Sequence, residues 1–536
     1  MAFLEFDPQS YPYASRRTLV YGRRGMVATA QPLAAQAGLE ILQSGGNAVD
    51  AAVAAAACLP IVEPTSNGLG GDAFALVFSQ GKLHGMNASG PAPQRMTRDL
   101  VRSEGWREMP LYGWYPVTVP GIPAAWAALV QRFGRLDLPK VLAPAIRLAR
   151  EGFPVSSTVA YFWQRAYRKF SAELHGQQFA EWFRVFAPQG RAPLPGEMWK
   201  FPDHAGTLED IAASGAQSYY RGALAQKIVQ FSHQTGGVMS AEDLAAFQVE
   251  WVRPLSVPFQ GFDVWELPPN GQGVVALMAL KMLDGLHPAD EAERIHLQIE
   301  ALKLAFADAR RYVADTRFMP VSAEDLLDEA YLARRRALIG PEAQMPQAGQ
   351  PPFGGTVYLA TADDQGNMVS YIQSNYEGFG SGLVVPSTGI ALHNRGQLFS
   401  LEAGHPNMLA PGKKPYHTII PGFLTDHGQP IGPFGVMGGF MQPQGHVQVL
   451  SRILAQKLNP QAALDAPRFY WQQGKTVVVE KSMPANVVEA LRRRGHDVRI
   501  TSDPAPFGRG EIVWKMPGGA LMGATEPRAD GTVACW

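Results

Sequence analysis

The stretch GGTVYLATADDQGNMVSYIQS, residues 354–374, decides the fold prediction. Side-chain character alternates along Thr356–Ala362 and again along Met368–Ser374, and this period of two is typical of β-strands. The five residues between the two runs are rich in Asp, Asn and Gly, which predicts a hairpin loop. If the last residue of the first run pairs with the first of the second, Thr356 faces Ser374. Two hydroxyl groups then lie within hydrogen-bonding range at the open end of the hairpin.

Upstream of this hairpin the pattern is mainly helical. A short strand at Val27–Ala30 precedes a predicted helix at Leu33–Gln43, which Gly45-Gly46 ends. Asn47 is the predicted cap of an Ala-rich helix from Ala48, and that helix is apolar on all sides, which predicts full burial. Further helical patterns lie at residues 126–130, 141–149, 224–231 and 293–313.

Length and composition exclude several classes of protein. The 536 residues exceed one ordinary core, so two domains or one large layered domain are expected, and 46% hydrophobic residues indicate a globular chain. Lys plus Arg and Asp plus Glu both number 47, which argues against nucleic acid or an anionic membrane as a partner. Two cysteines exclude a disulfide scaffold. No signal peptide or membrane span is visible, so a cytoplasmic location is predicted.

Common catalytic motifs are missing from the sequence. There is no G-x-S-x-G elbow and no H-E-x-x-H zinc helix, and neither a cofactor nor a metal is predicted. His296 and Glu300 have the i,i+4 spacing to share a metal, but a hydrogen bond in the core or on the helix surface is the favoured interpretation. The glycine-rich run Gly378–Gly382 is not followed by a helical pattern, which favours a tight turn beside a site.

Short motifs spread over nearly the whole chain carry a family resemblance. They are Gly25–Ala28, Gly45–Ala52, Glu63-Pro64, Gly68–Asp72, Val119–Gly121, Gly152–Val155, Pro268–Gly271, Glu300-Ala301, Phe306–Asp308, Gly355-Thr356, Gly378–Gly382, Gly438-Gly439, Ala466–Arg468 and Glu526–Arg528. Through them the chain closely resembles the γ-glutamyltranspeptidase family. The resemblance implies an α+β fold, the αββα sandwich of N-terminal-nucleophile hydrolases, with two central antiparallel sheets flanked by helices.

The resemblance also implies a precursor that cuts itself between Gly355 and Thr356. The products are a large fragment, residues 1–355, and a small fragment, residues 356–536, which stay together as a heterodimer; a further dimer is left open. Thr356 then becomes the nucleophile. Its new α-amine, with a reference pKa of about 8, takes the proton from its own hydroxyl. Gly355 tolerates the strained backbone that self-cleavage needs.

Three further catalytic residues follow from the resemblance. Ser374 matches the position whose hydroxyl hydrogen-bonds the nucleophile, and the hairpin pairing reaches the same pair independently. Gly438 and Gly439 match the pair whose backbone N–H groups form the oxyanion hole, and such donors each contribute about 3 kcal/mol to transition-state stabilisation. The alternative for a Gly pair is an ordinary turn.

Departures from the family pattern concern the substrate. The family arginine that holds the glutamate α-carboxylate is replaced by Ser89, and the acidic residue that binds the α-amine is replaced by Leu398. A Gln three residues earlier becomes Arg395. The segment between Phe399 and Pro415, which corresponds to the family's lid, is short. The predicted substrate-binding residues are Asn87, Ser89, Tyr376, Arg395, His417 and Thr418.

Without the acidic residue, the site offers no partner for the ammonium of a γ-glutamyl group, whereas Arg395 can bind a carboxylate. The sequence therefore favours a small amide that carries a carboxylate and no amine. The simplest is oxamate, and the chain most resembles those family members that hydrolyse it to oxalate and ammonia in purine (allantoin) breakdown. A cytoplasmic γ-glutamyl hydrolase or transpeptidase-like acylase is the alternative enzyme. An uncleaved binding or scaffold protein is the alternative class.

Overall fold

The computed structural model describes Tyr13, residues 17–345 and residues 357–536. Gly355 and Thr356 therefore lie outside the described residues. In chain order the strands are β1 (Val20–Gly22), β2 (Gly25–Thr29), β3 (Asp72–Ser79), β4 (Lys82–Ala88), β5 (Phe153–Pro154), β6 (Met198–Trp199), β7 (Glu250–Val252), β8 (Leu255–Phe259), β9 (Phe262–Glu266), β10 (Val357–Asp363), β11 (Met368–Ser374), β12 (Val384–Val385), β13 (Ile390–Ala391), β14 (Gly422–Asp426), β15 (Gln429–Met437), β16 (Phe469–Gln473), β17 (Thr476–Glu480), β18 (Asp497–Thr501), β19 (Arg509–Lys515), β20 (Leu521–Thr525) and β21 (Thr532–Cys535).

The α-helices cover the two faces of these strands. They are α1 (Pro32–Gln43), α2 (Ala48–Val62), α3 (Arg98–Ser103), α4 (Ile122–Phe133), α5 (Leu138–Glu151), α6 (Ser157–Glu173), α7 (Ala180–Phe186), α8 (Pro202–Ser214), α9 (Gln217–Arg221), α10 (Ala223–Gln234), α11 (Ala241–Ala245), α12 (Gly273–Leu283), α13 (Glu291–Tyr312), α14 (Ala323–Leu326), α15 (Glu329–Arg336), α16 (Met441–Leu450), α17 (Pro460–Asp465) and α18 (Ala485–Arg493). The helical patterns read from the sequence are all confirmed.

Two seven-stranded antiparallel sheets form the centre of the molecule. One has the order β1-β20-β19-β15-β14-β9-β8, and the other has the order β21-β2-β10-β11-β3-β4-β7. They pack face to face so closely that a Cβ added at Gly435 in β15 would lie 2.5 Å from the ring of Tyr358 in β10. Glycine is therefore required at this contact between the sheets.

Helices enclose the paired sheets on both outer sides. α1, α2, α4 and α5 share one apolar core with the sheet that holds β10, and α12, α13, α16 and α18 share a second core with the other sheet. This helix–sheet–sheet–helix arrangement confirms the predicted αββα sandwich. Within the described residues, no helix is both long and apolar enough to cross a bilayer.

Helix α2 shows how the sequence fixes the central hairpin. Asn47 caps it in a capping box with Asp50, and all of its residues are buried, as predicted. The hairpin is tied to the start of this helix near the loop end of β10: the carboxylate of Asp363 accepts a hydrogen bond from the Ala48 N–H at 2.9 Å, and the Thr361 hydroxyl donates to the Ala48 carbonyl at 2.7 Å. Strand β10 is thus held by an element that is itself fully buried.

Candidate active site

The open end of the β10–β11 hairpin has the pairing that the sequence predicts. Val357 pairs with Gln373 and Ala362 pairs with Met368, so the register is confirmed along the described strand. Ser374 ends β11, is fully buried, and accepts a hydrogen bond from the Tyr376 N–H at 2.6 Å. Thr356 lies outside the described residues, so its pairing with Ser374 and the cleavage after Gly355 stay predictions.

The predicted oxyanion pair lies at the end of β15, the strand that packs against β10. Gly438 and Gly439 have φ values of +129° and +59°, which favour glycine, and they lead directly into α16. The Gly439 carbonyl accepts a hydrogen bond from the Gln272 side chain at 2.9 Å. Within the described part of the chain, the N–H groups of Gly438 and Gly439 donate to no acceptor. Two such N–H groups before a helix suit a developing anion.

Four charged or titratable side chains meet in a buried cluster on the neighbouring strand β3. Asp72, which pairs with Ser374 in the sheet, accepts hydrogen bonds from Arg395 at 3.1 and 3.3 Å. His417 Nε2 lies 2.6 Å from the Asp72 carboxylate and His393 Nδ1 lies 3.4 Å from it. All four side chains are inaccessible to solvent. The positive charge of Arg395 is therefore already balanced by Asp72.

The cluster sets the protonation of its members. Burial alone would raise the pKa of Asp72, but the Arg395 guanidinium and His417 outweigh it and hold that pKa well below its usual value. Burial and the nearby Arg395 lower the pKa of His417 to about 4, although Asp72 opposes them. Asp72 is thus ionised and His417 is neutral near pH 7, so Asp72, Arg395 and His417 together carry no net charge.

The remaining predicted substrate residues adjoin this cluster. Arg395 donates to the Thr418 hydroxyl at 2.7 Å, and its guanidinium carbon lies 4.7 Å from the centroid of the Tyr376 ring. Asn87 donates to the side-chain oxygen of Asn270 at 2.9 Å. Ser89 in turn accepts a hydrogen bond from the Asn270 amide at 3.2 Å. The Asp72–Arg395 ion pair thus joins one group, which contains Tyr376, His417 and Thr418. Asn87 and Ser89 form a second group around Asn270.

Sequence reasoning did not single out four residues of this site: Asp72, Asn270, Gln272 and His393. The segment Asn270–Gln272 joins the two groups, because the His417 N–H donates to the Asn270 carbonyl and the Gln272 side chain donates to the Thr418 carbonyl at 2.7 Å. Asp72 and Asn270 both lie in motifs that carried the family resemblance, and that membership was the available signal.

A cavity of about 580 Å³ lies beside the Gly pair. Gly438 lines it, as do Glu377 and Gly378, and its side walls come from α6 and from residues 503–509. The glycine-rich run that begins at Gly378 was predicted as a turn beside a site. That prediction agrees with its place on the wall of this cavity.

His296 and Glu300 lie elsewhere, with His496, and the nearest ligand atoms of the three are within 4.8 Å of one another. His296 hydrogen-bonds His496 at 2.9 Å and the Gly340 carbonyl at 2.8 Å. Glu300 accepts from the Lys303 ammonium at 2.7 Å. These bonds agree with the favoured interpretation of a hydrogen-bonded core group, because a metal would have to compete with the Lys303 cation for Glu300.

Comparison with known proteins defines the class. A family model described as gamma-glutamyltranspeptidase matches residues 34–536. The chain therefore belongs to the γ-glutamyltranspeptidase family. It is 35% identical to the glutathione hydrolase-like YwrD proenzyme of Bacillus subtilis (strain 168), covering 96% of this chain and 98% of that protein. It is also 35% identical to the oxamate amidohydrolase proenzyme of Klebsiella pneumoniae, covering 95% and 98% of the two chains.

Solved structures give the same architecture. The cephalosporin acylase from Bacillus halodurans is 56% identical and superposes with a TM-score of 0.95 over 99% of both chains. The γ-glutamyltranspeptidase of Helicobacter pylori is 26% identical with a TM-score of 0.54, covering 60% of this chain and 92% of that one. These likenesses, with the two antiparallel sheets, confirm the predicted N-terminal-nucleophile hydrolase fold.

Removal of the Ser374 hydroxyl tests the neighbour of the predicted nucleophile. We expect Ser374→Ala to fold but to slow self-cleavage or turnover by roughly ten- to a thousand-fold, the cost of one lost hydrogen bond to a catalytic group. Ser374→Thr, which keeps a hydroxyl, should recover most of the loss. Ser370→Ala in the same buried strand is the matched control. The measurement is the rate of fragment formation on gels and the turnover of the processed protein; unchanged rates in Ser374→Ala would contradict the assignment.

Glu377 gives a prediction about stability and pH. Burial raises its pKa from 4.5 to about 7, although Lys169 and Arg395 oppose the rise. A carboxyl whose folded pKa is raised binds its proton more tightly in the folded state, so its ionisation destabilises the fold increasingly as pH rises from about 4.5 through 7. We expect Glu377→Gln to be more stable than the parent by about 1–2 kcal/mol at pH 8, a value reduced for partial solvent exposure, and equal to it at pH 4.

Thermal unfolding of parent and variant at the two pH values measures this difference. Glu108→Gln, which changes an exposed carboxyl, is the control and should give the same Tm difference from the parent at both pH values. A Glu377→Gln Tm difference that does not grow with pH would contradict the assignment of a raised pKa.

Proposed function

We propose that this chain is a self-processing amidohydrolase whose nucleophile is Thr356 and whose substrate is a small amide that carries a carboxylate. The observation that carries the proposal is the hairpin register. Val357 pairs with Gln373, and the pairing of Thr356 with Ser374 that the sequence predicts belongs to the same register. The proenzyme names of the relatives are a second support for self-cleavage.

The proposed reaction uses the new N-terminus and no other base. The α-amine of Thr356 takes the proton of its own hydroxyl, and the oxygen attacks the amide carbonyl. The N–H groups of Gly438 and Gly439 stabilise the resulting oxyanion. The amine then returns the proton to the leaving nitrogen as the C–N bond breaks. Water, deprotonated by the same α-amine, hydrolyses the ester to release the acid and restore Thr356.

Arg395 is the proposed partner of the substrate carboxylate. It has five N–H donors, and Asp72 and Thr418 accept three of them. The other two donate to nothing in the described part of the chain. A carboxylate bound there gains charge-assisted hydrogen bonds although the net charge of the Asp72–Arg395 pair is zero. Oxamate, hydrolysed to oxalate and ammonia as in purine (allantoin) breakdown, is the simplest substrate of this kind.

A second candidate is hydrolysis of a larger N-substituted amide, as an acylase performs. The cavity of about 580 Å³ beside Gly438 favours it, because the ammonia released from oxamate needs far less room. The 56% identity to the cephalosporin acylase from Bacillus halodurans also supports a larger N-substituted amide. A γ-glutamyl substrate has less support, since Leu398, which packs on the core, offers no charge for its α-ammonium.

Product analysis separates these candidates. Purified, processed protein is incubated with oxamate, with its N-phenyl amide oxanilate and with a γ-glutamyl anilide, and the released acid and amine are quantified. We expect hydrolysis of oxamate, oxanilate or both, and little hydrolysis of the γ-glutamyl anilide. Preference for the γ-glutamyl amide would overturn the proposed substrate class, and an active protein that remains a single chain would overturn the mechanism.

A further inference from the structure

The cavity beside Gly438 lies between the two predicted cleavage fragments. One face of α6, from the large fragment, lines one wall with Phe162, Ala166 and Phe170, which are spaced four residues apart. Arg165 and Lys169 lie on the same face. Within residues 503–509 of the small fragment, Asp503, Ala505, Pro506, Gly508 and Arg509 also line the cavity. The cavity therefore combines an apolar wall with a charged rim, and it opens to solvent because Arg165 and Lys169 are exposed.

The cavity is distinct from the region around Arg395, which is the proposed partner of the substrate carboxylate. Tyr376 and Glu377 are consecutive, but the Tyr376 ring lies against Arg395 and is inaccessible to solvent, whereas Glu377 lines the cavity. Arg395, His417 and Thr418 do not line it. Gly438, whose N–H is the proposed oxyanion donor, lies on its wall. An amide with its carbonyl oxygen at Gly438 thus has one side open to this cavity.

We propose that this cavity binds the amine half of an N-substituted amide, and that this amine carries an apolar ring and, at its far end, a carboxylate that pairs with Lys169. The inference rests on the proposed amide hydrolysis and names the half of the substrate that the proposed function leaves open. The open side suits the amine half, because the amine must leave and water must enter while the acyl group stays bound to the enzyme.

The size and lining of the cavity support a ring. Ammonia occupies about as much room as one water molecule, roughly 30 Å³. The cavity of about 580 Å³ falls in the range that encloses drug-sized ligands. Phe162, Phe170 and Met437 give it apolar surface that contributes affinity only when an apolar group covers it.

The charges around the rim support a carboxylate and indicate its place. Arg165 pairs with Asp503 at 3.0 Å, and Arg509 pairs with Glu63 at 3.3 Å. Lys169 has no ion-pair partner within 4 Å among the residues that the structure describes, and its ammonium lies 5.5 Å from the centroid of the Tyr112 ring. The Glu377 carboxyl, which also lines the cavity, is near enough for Lys169 to lower its pKa, but the two form no ion pair. Lys169 is therefore the lining cation whose ammonium is not already held in an ion pair.

A series of amides with one acyl half tests the proposal: oxamate, oxanilate and 4-carboxyoxanilate. In the parent protein we expect kcat/KM for the carboxylated anilide to exceed that for oxanilate by roughly five- to tenfold, the contribution of a partly exposed charge pair. Lys169→Gln should reduce this ratio to about one. Arg168→Gln, which removes an adjacent exposed cation that does not line the cavity, is the matched control and should keep the ratio.

A second variant tests the apolar wall. Ala166→Phe places a ring inside the cavity and should lower kcat/KM for oxanilate, relative to oxamate in the same variant, by at least roughly tenfold. An unchanged ratio of oxanilate to oxamate in Ala166→Phe would overturn the cavity as the amine site. A carboxylate preference that survives in Lys169→Gln would overturn the role of Lys169.

Failure of the proposed function is separated by a binding measurement. If the protein yields two fragments but hydrolyses none of the three amides, the substrate class is wrong, and calorimetry with 4-aminobenzoate alone then tests the cavity. Binding that weakens at least roughly threefold in Lys169→Gln supports the amine site. The absence of binding to the processed parent protein at about 10 mM 4-aminobenzoate overturns it.

Discussion

Thr356→Ala is expected to remain a single chain and to hydrolyse no amide. The variant lacks the hydroxyl that attacks the preceding carbonyl during self-cleavage, so neither the new N-terminus nor the nucleophile forms. The expected loss of activity is complete within detection, because the same oxygen performs both steps. Electrophoresis of purified protein and a turnover assay measure the two effects.

Thr356→Ser is the matched variant, because it keeps a hydroxyl at the same position and should still produce both fragments. Full activity in an uncleaved Thr356→Ala chain would contradict the assignment of the nucleophile. Cleavage of Thr356→Ala at the wild-type rate would show that another group cuts the chain.

Replacement of Arg395 is expected to give the second large effect. Arg395→Met should lower kcat/KM for the carboxylate-bearing amide by roughly 30- to 1000-fold, the cost of a charge-assisted hydrogen bond to substrate, while cleavage before Thr356 continues. The single variant also leaves the buried Asp72 carboxylate without its cation, which destabilises a fold by about 3–5 kcal/mol. Activity must therefore be measured beside a variant in which this penalty is removed.

The double variant Asp72→Asn/Arg395→Met provides that comparison. It removes both charges of the ion pair, so the stability of the fold should recover relative to Arg395→Met alone. If Arg395 binds the substrate carboxylate, kcat/KM stays low in the double variant. Recovery of wild-type kinetics would show that Arg395 serves only to neutralise Asp72, and would contradict its proposed role with substrate.

The fold was predictable from sequence where local signals agreed. The hairpin register followed from two alternating runs and a loop rich in Asp and Gly, and the structure has the same pairing of Ala362 with Met368. Asn47 and Asp50 specify the start of α2 through a capping box that is visible in the sequence. In both cases residues within a few positions of one another determine the geometry.

The buried cluster was not predictable because its members are far apart in the chain. Asp72 and Arg395 are separated by 323 residues, and Asp72 and His417 by 345. Periodicity says nothing about such contacts. Arg395 therefore read as an uncompensated cation, whereas the structure gives it a buried carboxylate partner, and this difference changes the variants needed to test it.

The cavity could not be predicted from sequence either, for a different reason. The spacing of Phe162, Ala166 and Phe170 on α6 is that of an ordinary core-facing helix, which normally packs against protein. Here part of that face lines a cavity that it shares with residues 503–509, which are more than 300 positions away in sequence. A gap between two elements has no sequence signature.

Every step proposed for this chain depends on self-cleavage before Thr356, and N-terminal sequencing of the small fragment decides whether that cleavage occurs. We expect two fragments of roughly 38 and 20 kDa, from 355 and 181 of the 536 residues of a 58.2 kDa chain. The smaller fragment should begin Thr-Val-Tyr-Leu-Ala. A fully active preparation that contains only the intact chain, or a small fragment that begins at another residue, would contradict it.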